Sequence, residues 1–162
     1  MRILILFVSV VILGAAENNT IHIGGKTVFI DSNWTIIAHK PLGAITTVAT
    51  QIPNKADEGS QDSTNLIITI YDNKDTQAVL SFSQMIMGIK DYKEEIHGNW
   101  KQLVWSGNQG ETDYTIIDSI LQSDGTAVSV FVRIAYPALK NNSKDYDKEI
   151  RQTLSNVLDS IK

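Results

Sequence analysis

The stretch TAVSVFVRIAY, Thr126 to Tyr136, decides the fold. Val128, Val130, Val132, Ile134 and Tyr136 alternate there with Ser129, Phe131, Arg133 and Ala135. Mostly β-branched residues at a period of two give a strand one wholly apolar face. Just upstream, Ser123-Asp124-Gly125 supplies a turn in which Gly125 is free to take positive φ. The run before it, Asp113 to Gln122, carries Tyr114, Ile116, Ile117, Ile120 and Leu121. Trp100 to Ser106 reads as a further strand, closed by Gly107-Asn108-Gln109-Gly110 as a turn. Gln102 to Tyr136 is therefore an antiparallel meander on which the other elements pack.

Downstream, Tyr136-Pro137 ends the sheet and Asn141-Asn142-Ser143 opens a helix with Ser143 as its cap. Tyr146, Ile150, Leu154, Val157, Leu158 and Ile161 then trace one apolar stripe. Upstream, Ser81 with Gln84 forms a capping box, and Leu80 can staple onto Met85. Phe82, Met85, Ile86, Ile89, Lys93 and Ile96 follow at helical spacing, which predicts a helix stopped by His97-Gly98-Asn99.

Closer to the amino terminus, Thr20–Ile23 and Lys26–Ile30 flank Gly24-Gly25 as a short hairpin. Trp34 to His39 is a strand broken at His39-Lys40-Pro41-Leu42-Gly43, and Ala44 to Ile52 resumes. PNKADEGSQDST, 53 to 64, is polar and aperiodic and reads as an exposed loop. Asn65 to Tyr71 has apolar residues on both faces, as a strand covered on both sides would.

The chain has 162 residues, an apolar fraction of 43% and a charged fraction of 20%, which suits one domain with a sizeable core. Its formal charge of −4 is too acidic for a nucleic-acid surface, which needs clustered Lys and Arg. The absence of cysteine excludes disulfides, thiolate catalysis and zinc–thiolate sites. Met1-Arg2, the apolar run Ile3 to Leu13 and Gly14-Ala15-Ala16 have the layout of a signal peptide cut after Ala16. The run is shorter than the ~20 residues a spanning helix needs. The expected organisation is therefore a signal peptide, 1–16, followed by a single α+β domain, 17–162. Cleavage removes Arg2 alone among the 14 basic and 18 acidic residues and leaves a charge of −5.

This order of short strands, polar loop, central strand, helix, meander and closing helix resembles the PsbP-like α/β/α sandwich family, including its periplasmic DcrB-type members. The resemblance rests on Asn33-Trp34 after the first hairpin, Asn65-Leu66-Ile67-Ile68 after the polar loop, the Ser81-capped helix and the terminal Leu154-Val157-Leu158-Ile161 helix. It implies an antiparallel sheet of about six or seven strands flanked by two main helices, and a binding or accessory role with no catalytic residue carried over.

No reaction is spelled out. His22, His39 and His97 lie in separate segments without metal-ligand spacing. Asp57, Glu58 and Asp62 are gathered in the polar loop but lack a calcium-loop pattern, so solvated charge is preferred. Neither Ser106 nor Ser119 lies in a nucleophile elbow, and Glu94-Glu95 are assigned to the solvent face of the first helix. Asp118 interrupts an apolar strand; it either faces solvent in register with Tyr114 and Ile116 or pairs with Arg133 next door. Trp100, Trp105 and Tyr92 are either core or an aromatic contact patch. Sequons stand at Asn18, Asn33 and Asn141.

The function expected is that of an exported, non-enzymatic binding or accessory protein, secreted or periplasmic, such as an immunity or secretion-system accessory protein. Its partner is another protein in the envelope or outside the cell; no cofactor, metal, nucleic acid or lasting membrane anchor is expected. The expected contact surface comprises Asp57, Glu58, Asp62, Trp100, Asn108 and Gln109. Two rivals remain: a hydrolase assembled from His39, Asp118 and Ser106, and an apolar-ligand carrier with a pocket lined by Met85, Ile89 and Trp105.

Overall fold

The structure, a computed structural model, describes residues 20–23, 25–30, 34–42, 45–52, 63–71, 75–109, 111–122, 128–138 and 143–161. The signal-peptide segment, the loop residues Asp57, Glu58 and Asp62 and all three sequons lie outside them. The chain opens with a hairpin, β1 (Thr20–Ile23) and β2 (Lys26–Phe29), turned at Gly25 with φ of 76°. β3 (Thr35–Leu42), β4 (Ile45–Ile52) and β5 (Thr64–Tyr71) follow, then α1 (Thr76–Met87) and β6 (Lys93–His97). The meander is β7 (Trp100–Gln109), β8 (Thr112–Leu121) and β9 (Ser129–Pro137), and α2 (Ser143–Ser160) closes the chain. The seven strands after the hairpin form one antiparallel sheet in the order β3-β4-β5-β9-β8-β7-β6. The fold is thus the α+β sandwich of seven strands and two helices expected from the sequence.

Alternation along β9 decides what each face of the sheet becomes. Val130, Val132, Ile134 and Tyr136 are buried in one cluster with Leu66, Ile68 and Ile70 of β5, Val48 of β4 and Ile117 of β8. α2 closes this face with Ile150, Leu154, Val157 and Leu158, and the β1–β2 hairpin adds Ile23 and Val28. Each such side chain contributes about 1.5–3 kcal/mol when withdrawn from water. On the opposite face, Phe131 of β9, Leu103 and Ile120 meet Val79 and Leu80 of α1 in a smaller cluster, with Tyr71 at its margin. β5, the strand expected to be covered on both sides, touches both clusters.

Four boundaries depart from expectation, each for a local reason. α1 begins at Thr76, because Asp75 caps it: its side chain accepts from the Ala78 amide at 2.9 Å. Ser81 sits inside the helix, where its hydroxyl meets the Gln77 side chain. The helix stops at Gly88, whose φ of 62° lets its amide reach back to the carbonyls of Gln84 and Met85. Ile89, Lys93 and Ile96 continue the helical spacing only by coincidence; Lys93 to His97 is the edge strand β6, and Glu94 and Glu95 lie on it. Gly98, with φ of 53°, turns β6 into β7 and does not cap a helix.

β7 runs on through Gly107, with Asn108 opposite Asp113 and Gln109 opposite Thr112, so the chain reverses only after Gln109. Gly107 is a packing glycine: a Cβ there would lie 3.0 Å from Ile116 Cδ1 and 3.2 Å from Trp105 Cζ3. Finally, β3 does not break at Pro41, which pairs with Thr46. β3 is an outer strand, and an outer strand tolerates a residue without an amide proton.

Candidate functional site

Register places Asp118 directly between Leu103 of β7 and Arg133 of β9, on the α1 side of the sheet. The carboxylate is wholly buried (0% exposed) and fully engaged. Oδ1 accepts from Arg133 Nε at 2.6 Å; Oδ2 accepts from Arg133 Nη2 at 2.8 Å and from Trp105 Nε1 at 3.0 Å. The guanidinium carbon in turn stands 5.7 Å from the Trp105 ring centre and 5.5 Å from that of Phe131. Of the two readings of Asp118, the cross-strand pair is the one formed. A carboxylate that spends both oxygens on a bidentate arginine and an indole ties β7, β8 and β9 together.

A second polar network ties the β6 edge of the sheet and β9 to α2. Arg151 donates from Nε to Asp147 Oδ2 at 2.9 Å and from Nη1 to Glu95 Oε2 at 3.0 Å. The Tyr136 hydroxyl donates to the other Asp147 oxygen. Burial, reinforced by the Asp147 carboxylate, pushes the Tyr136 hydroxyl pKa well above the ordinary tyrosine value. Hydrogen bonding from Lys93, helped by the charge of Arg151, holds Glu95 below the ordinary glutamate value against the opposing effect of burial. His97 reaches Asp159 at 3.3 Å. Beside this network a cleft of about 230 Å³ is lined by Thr115, Tyr136, Pro137, Ala138, Lys144, Tyr146 and Asp147. Tyr146 closes one wall through a 2.6 Å bond to Thr64.

The side of β6 turned away from α2 is different. Ile96 is 66% exposed, and it alternates with Glu95 and His97, the two residues that reach α2. Met85, in the last turn of α1, is 71% exposed, and Tyr92, on the connection to β6, is 42% exposed. Three of the exposed large apolar side chains thus fall within twelve residues of sequence, Ile96 on the outer strand itself; Phe29 and Ile36 are the others. Exposed apolar side chains that lie together in one patch mark contact surfaces.

The residues singled out from sequence divide as follows. Trp100 is 4% exposed and belongs to the main core, so it is no surface anchor: its register opposite Leu121 turns it toward α2. Trp105 is half-buried in the Asp118 network, and Tyr92 is the exposed one of the three aromatics. Asn108 is exposed near the end of β7. Gln109 is paired through its backbone with Thr112.

His39, Asp118 and Ser106 do not converge. His39 is on β3 and Asp118 on β8, four strand spacings or about 19 Å apart. Ser106 lies opposite Thr115, on the face of the sheet away from Asp118. Met85 is exposed, and Val79 and Leu80 are the buried residues of α1 that meet the sheet. Among the described residues no three His, Asp or Glu side chains are placed to hold a metal ion, and no buried side-chain nitrogen or oxygen lacks a partner. Sequence reasoning weighs Tyr92 as a contact residue but misses Met85 and Ile96, because a helix drawn through Ile96 turns both inward. The signal that finds them is Gly88, a helix-stopping residue in the middle of the periodic run.

No protein-family profile and no curated protein matches the sequence. Solved structures share the fold. The Ran-binding protein Mog1p of Saccharomyces cerevisiae superposes with a TM-score of 0.57 at 10% identity, over 90% of this chain and 95% of that one. A point mutant of Mog1 gives 0.58 at 10% identity, over 91% and 96%. A protein from Bacteroides thetaiotaomicron gives 0.55 at 12% identity over 91% of this chain, which spans about half (48%) of that longer chain. At these identities the likeness is one of fold.

Proposed function

We propose that this chain is an exported, non-enzymatic accessory protein that works by protein–protein contact, through the surface formed by Met85, Tyr92 and Ile96. The observation that carries this reading is the exposure of Ile96 on the outer strand β6, together with that of Tyr92 on the connection into it and of Met85 in the last turn of α1. The polar clusters support it, because their acids and bases are committed to one another: Asp118 to Arg133 and Trp105, Asp147 and Glu95 to Arg151. The fold is also one on which a protein-binding protein is built, since Mog1p is described as Ran-binding. Export rests on the signal-peptide layout of residues 1–16. Within this class, an immunity or secretion-system accessory protein of the envelope, with a PsbP-like or DcrB-type ancestry, is the sharper form of the proposal.

Two measurements test it. Mass analysis of the chain recovered from the envelope or medium is expected to give a mature form beginning at Glu17; an intact Met1 in a cytosolic fraction overturns export. Affinity capture from an envelope extract is expected to return one stoichiometric protein with the wild-type chain and none with Ile96→Lys. Equal recovery by both, or no stoichiometric partner for either, overturns the contact surface.

A further inference from the structure

The surface just described has a backbone as well as side chains, and its hydrogen-bonding direction follows from the β6–β7 turn. Gly98-Asn99 is a two-residue loop, with His97 opposite Trp100. In such a hairpin the pair flanking the loop is the hydrogen-bonded one, and bonded pairs then alternate. His97, Glu95 and Lys93 therefore direct their amides and carbonyls to β7. Glu94 and Ile96 direct theirs outward, away from the sheet. Among the described residues no backbone hydrogen bond outside the ladders reaches Glu94 or Ile96. The register from Lys93–Val104 to His97–Trp100 is unbroken, so these outward groups are held at ladder spacing.

The opposite outer strand, β3, is built otherwise. A register shift between Ile36 and Ala38 interrupts it, and Pro41 has no amide proton to offer. Both devices discourage a further strand. β6 has neither. Its charges are drawn aside by neighbours within the protein: Glu95 by Arg151, and Glu94 by Lys101 at 3.1 Å. Glu94 stays half exposed and a carboxylate has room for further donors, so an incoming basic side chain has a counter-charge there.

We propose that β6 accepts an extended segment of another protein as an eighth strand, hydrogen-bonded to Glu94 and Ile96, with an aliphatic side chain beside Ile96 and a Lys or Arg beside Glu94. This rests on the protein-binding reading above and adds its mode, strand addition at a sheet edge. The overall negative charge of the chain favours a basic segment. A second copy is the poorer occupant. Two antiparallel β6 strands centred on Glu94 or on Glu95 set like charges directly opposite. Centring on Ile96 runs the ladder into Gly98, whose φ of 53° is not extended.

The test uses the full mature chain and a random peptide library. Selected peptides are expected to carry an aliphatic and a basic residue two positions apart, on one face of the added strand. The best of them is expected to slow hydrogen exchange at the Glu94 and Ile96 amides at least tenfold. The amides of Lys93, Glu95 and His97, already facing β7, are internal controls and shift less. Ile96→Pro, which removes one outward donor and no β6–β7 bond, is expected to weaken the peptide at least tenfold, and Ile96→Val less than threefold. Selection of no peptide, or of peptides that leave both amides unprotected, overturns strand addition. So does protection that appears without peptide as the chain doubles in mass. If Ile96→Lys loses the envelope partner while the wild-type complex leaves both amides unprotected, the contact surface stands and only the strand-addition mode falls.

Discussion

The two faces of the seven-stranded sheet solve the same burial problem differently. The α2 face is sealed by an eighteen-residue helix and a hairpin, and its centre is almost entirely aliphatic. The α1 face has a twelve-residue helix over one end and, beyond it, a buried ion pair packed between aromatic rings. A short helix covers less sheet, and the uncovered part must be finished with groups that tolerate partial exposure. Arg133 does this by laying its guanidinium over Trp105 while its charge is met by Asp118. The α2 face supplies bulk stability; the α1 face supplies register and leads to the surface where the apolar side chains emerge.

The largest expected effect breaks the α1 face at its polar centre. Asp118→Ala leaves the Arg133 guanidinium without its carboxylate and is expected to cost about 3–5 kcal/mol in urea unfolding. The double variant Asp118→Leu with Arg133→Leu is expected to cost less than either single change, because no orphan charge remains. A double variant as unstable as the sum of the singles would mean that the pair is not coupled.

On the α2 face the corresponding break is a cavity. Leu154→Ala removes a fully buried side chain from the middle of the large cluster, at an expected cost of about 3–4 kcal/mol. Leu80→Ala, equally buried but in the thin cluster under α1, is expected to cost about 2 kcal/mol, since a small satellite cluster collapses more readily. Equal losses would remove the distinction drawn between the faces.

Tyr136 sharpens the comparison through pH. Its hydroxyl is neutral in the fold and its pKa is raised from 10.0, chiefly by burial and then by Asp147. Above pH 10 the unfolded chain releases this proton before the folded one does, so stability falls as pH rises, by about 1.4 kcal/mol per unit. Tyr136→Phe is expected to cost about 1 kcal/mol near neutrality and to lose that slope, so the two stability curves converge above pH 10. Tyr71 and Tyr146, also raised by burial, leave a residual slope in the variant.

What was legible in the sequence follows the same division. The α2 face could be read almost residue by residue, because strict alternation in β9 and the Ile150–Leu154–Val157–Leu158 stripe are periodic signals of a fully buried surface. The edge was not. From Met85 to Ile96 the apolar spacing satisfies a helix, and only the Asp75 cap and the αL glycine at 88 move its start from Ser81 to Asp75 and its end from Gly98 to Gly88. Trp100 was ambiguous for the converse reason: a large aromatic at a strand start has no periodic partner to say which way it faces, and register with Leu121 decides it. Asp118 could be narrowed to two roles but not to one, since the choice depends on which residue of β9 lies opposite, and register is not read from alternation alone.

The smallest expected effect on stability is the one that bears most on function. Ile96→Lys exchanges a side chain already 66% in solvent, on an outer strand, for one that suits such a strand. Its cost in urea unfolding is expected to stay within about 0.5 kcal/mol. The same charge sits where an aliphatic contact and a basic neighbour beside Glu94 are proposed, so binding is expected to weaken at least tenfold. A loss of several kcal/mol in stability would instead make Ile96 part of the α1 cluster, and the apolar trio would then be core that the short helix does cover. Binding lost with stability kept is the outcome that separates an edge built for a partner from an edge merely left unfinished.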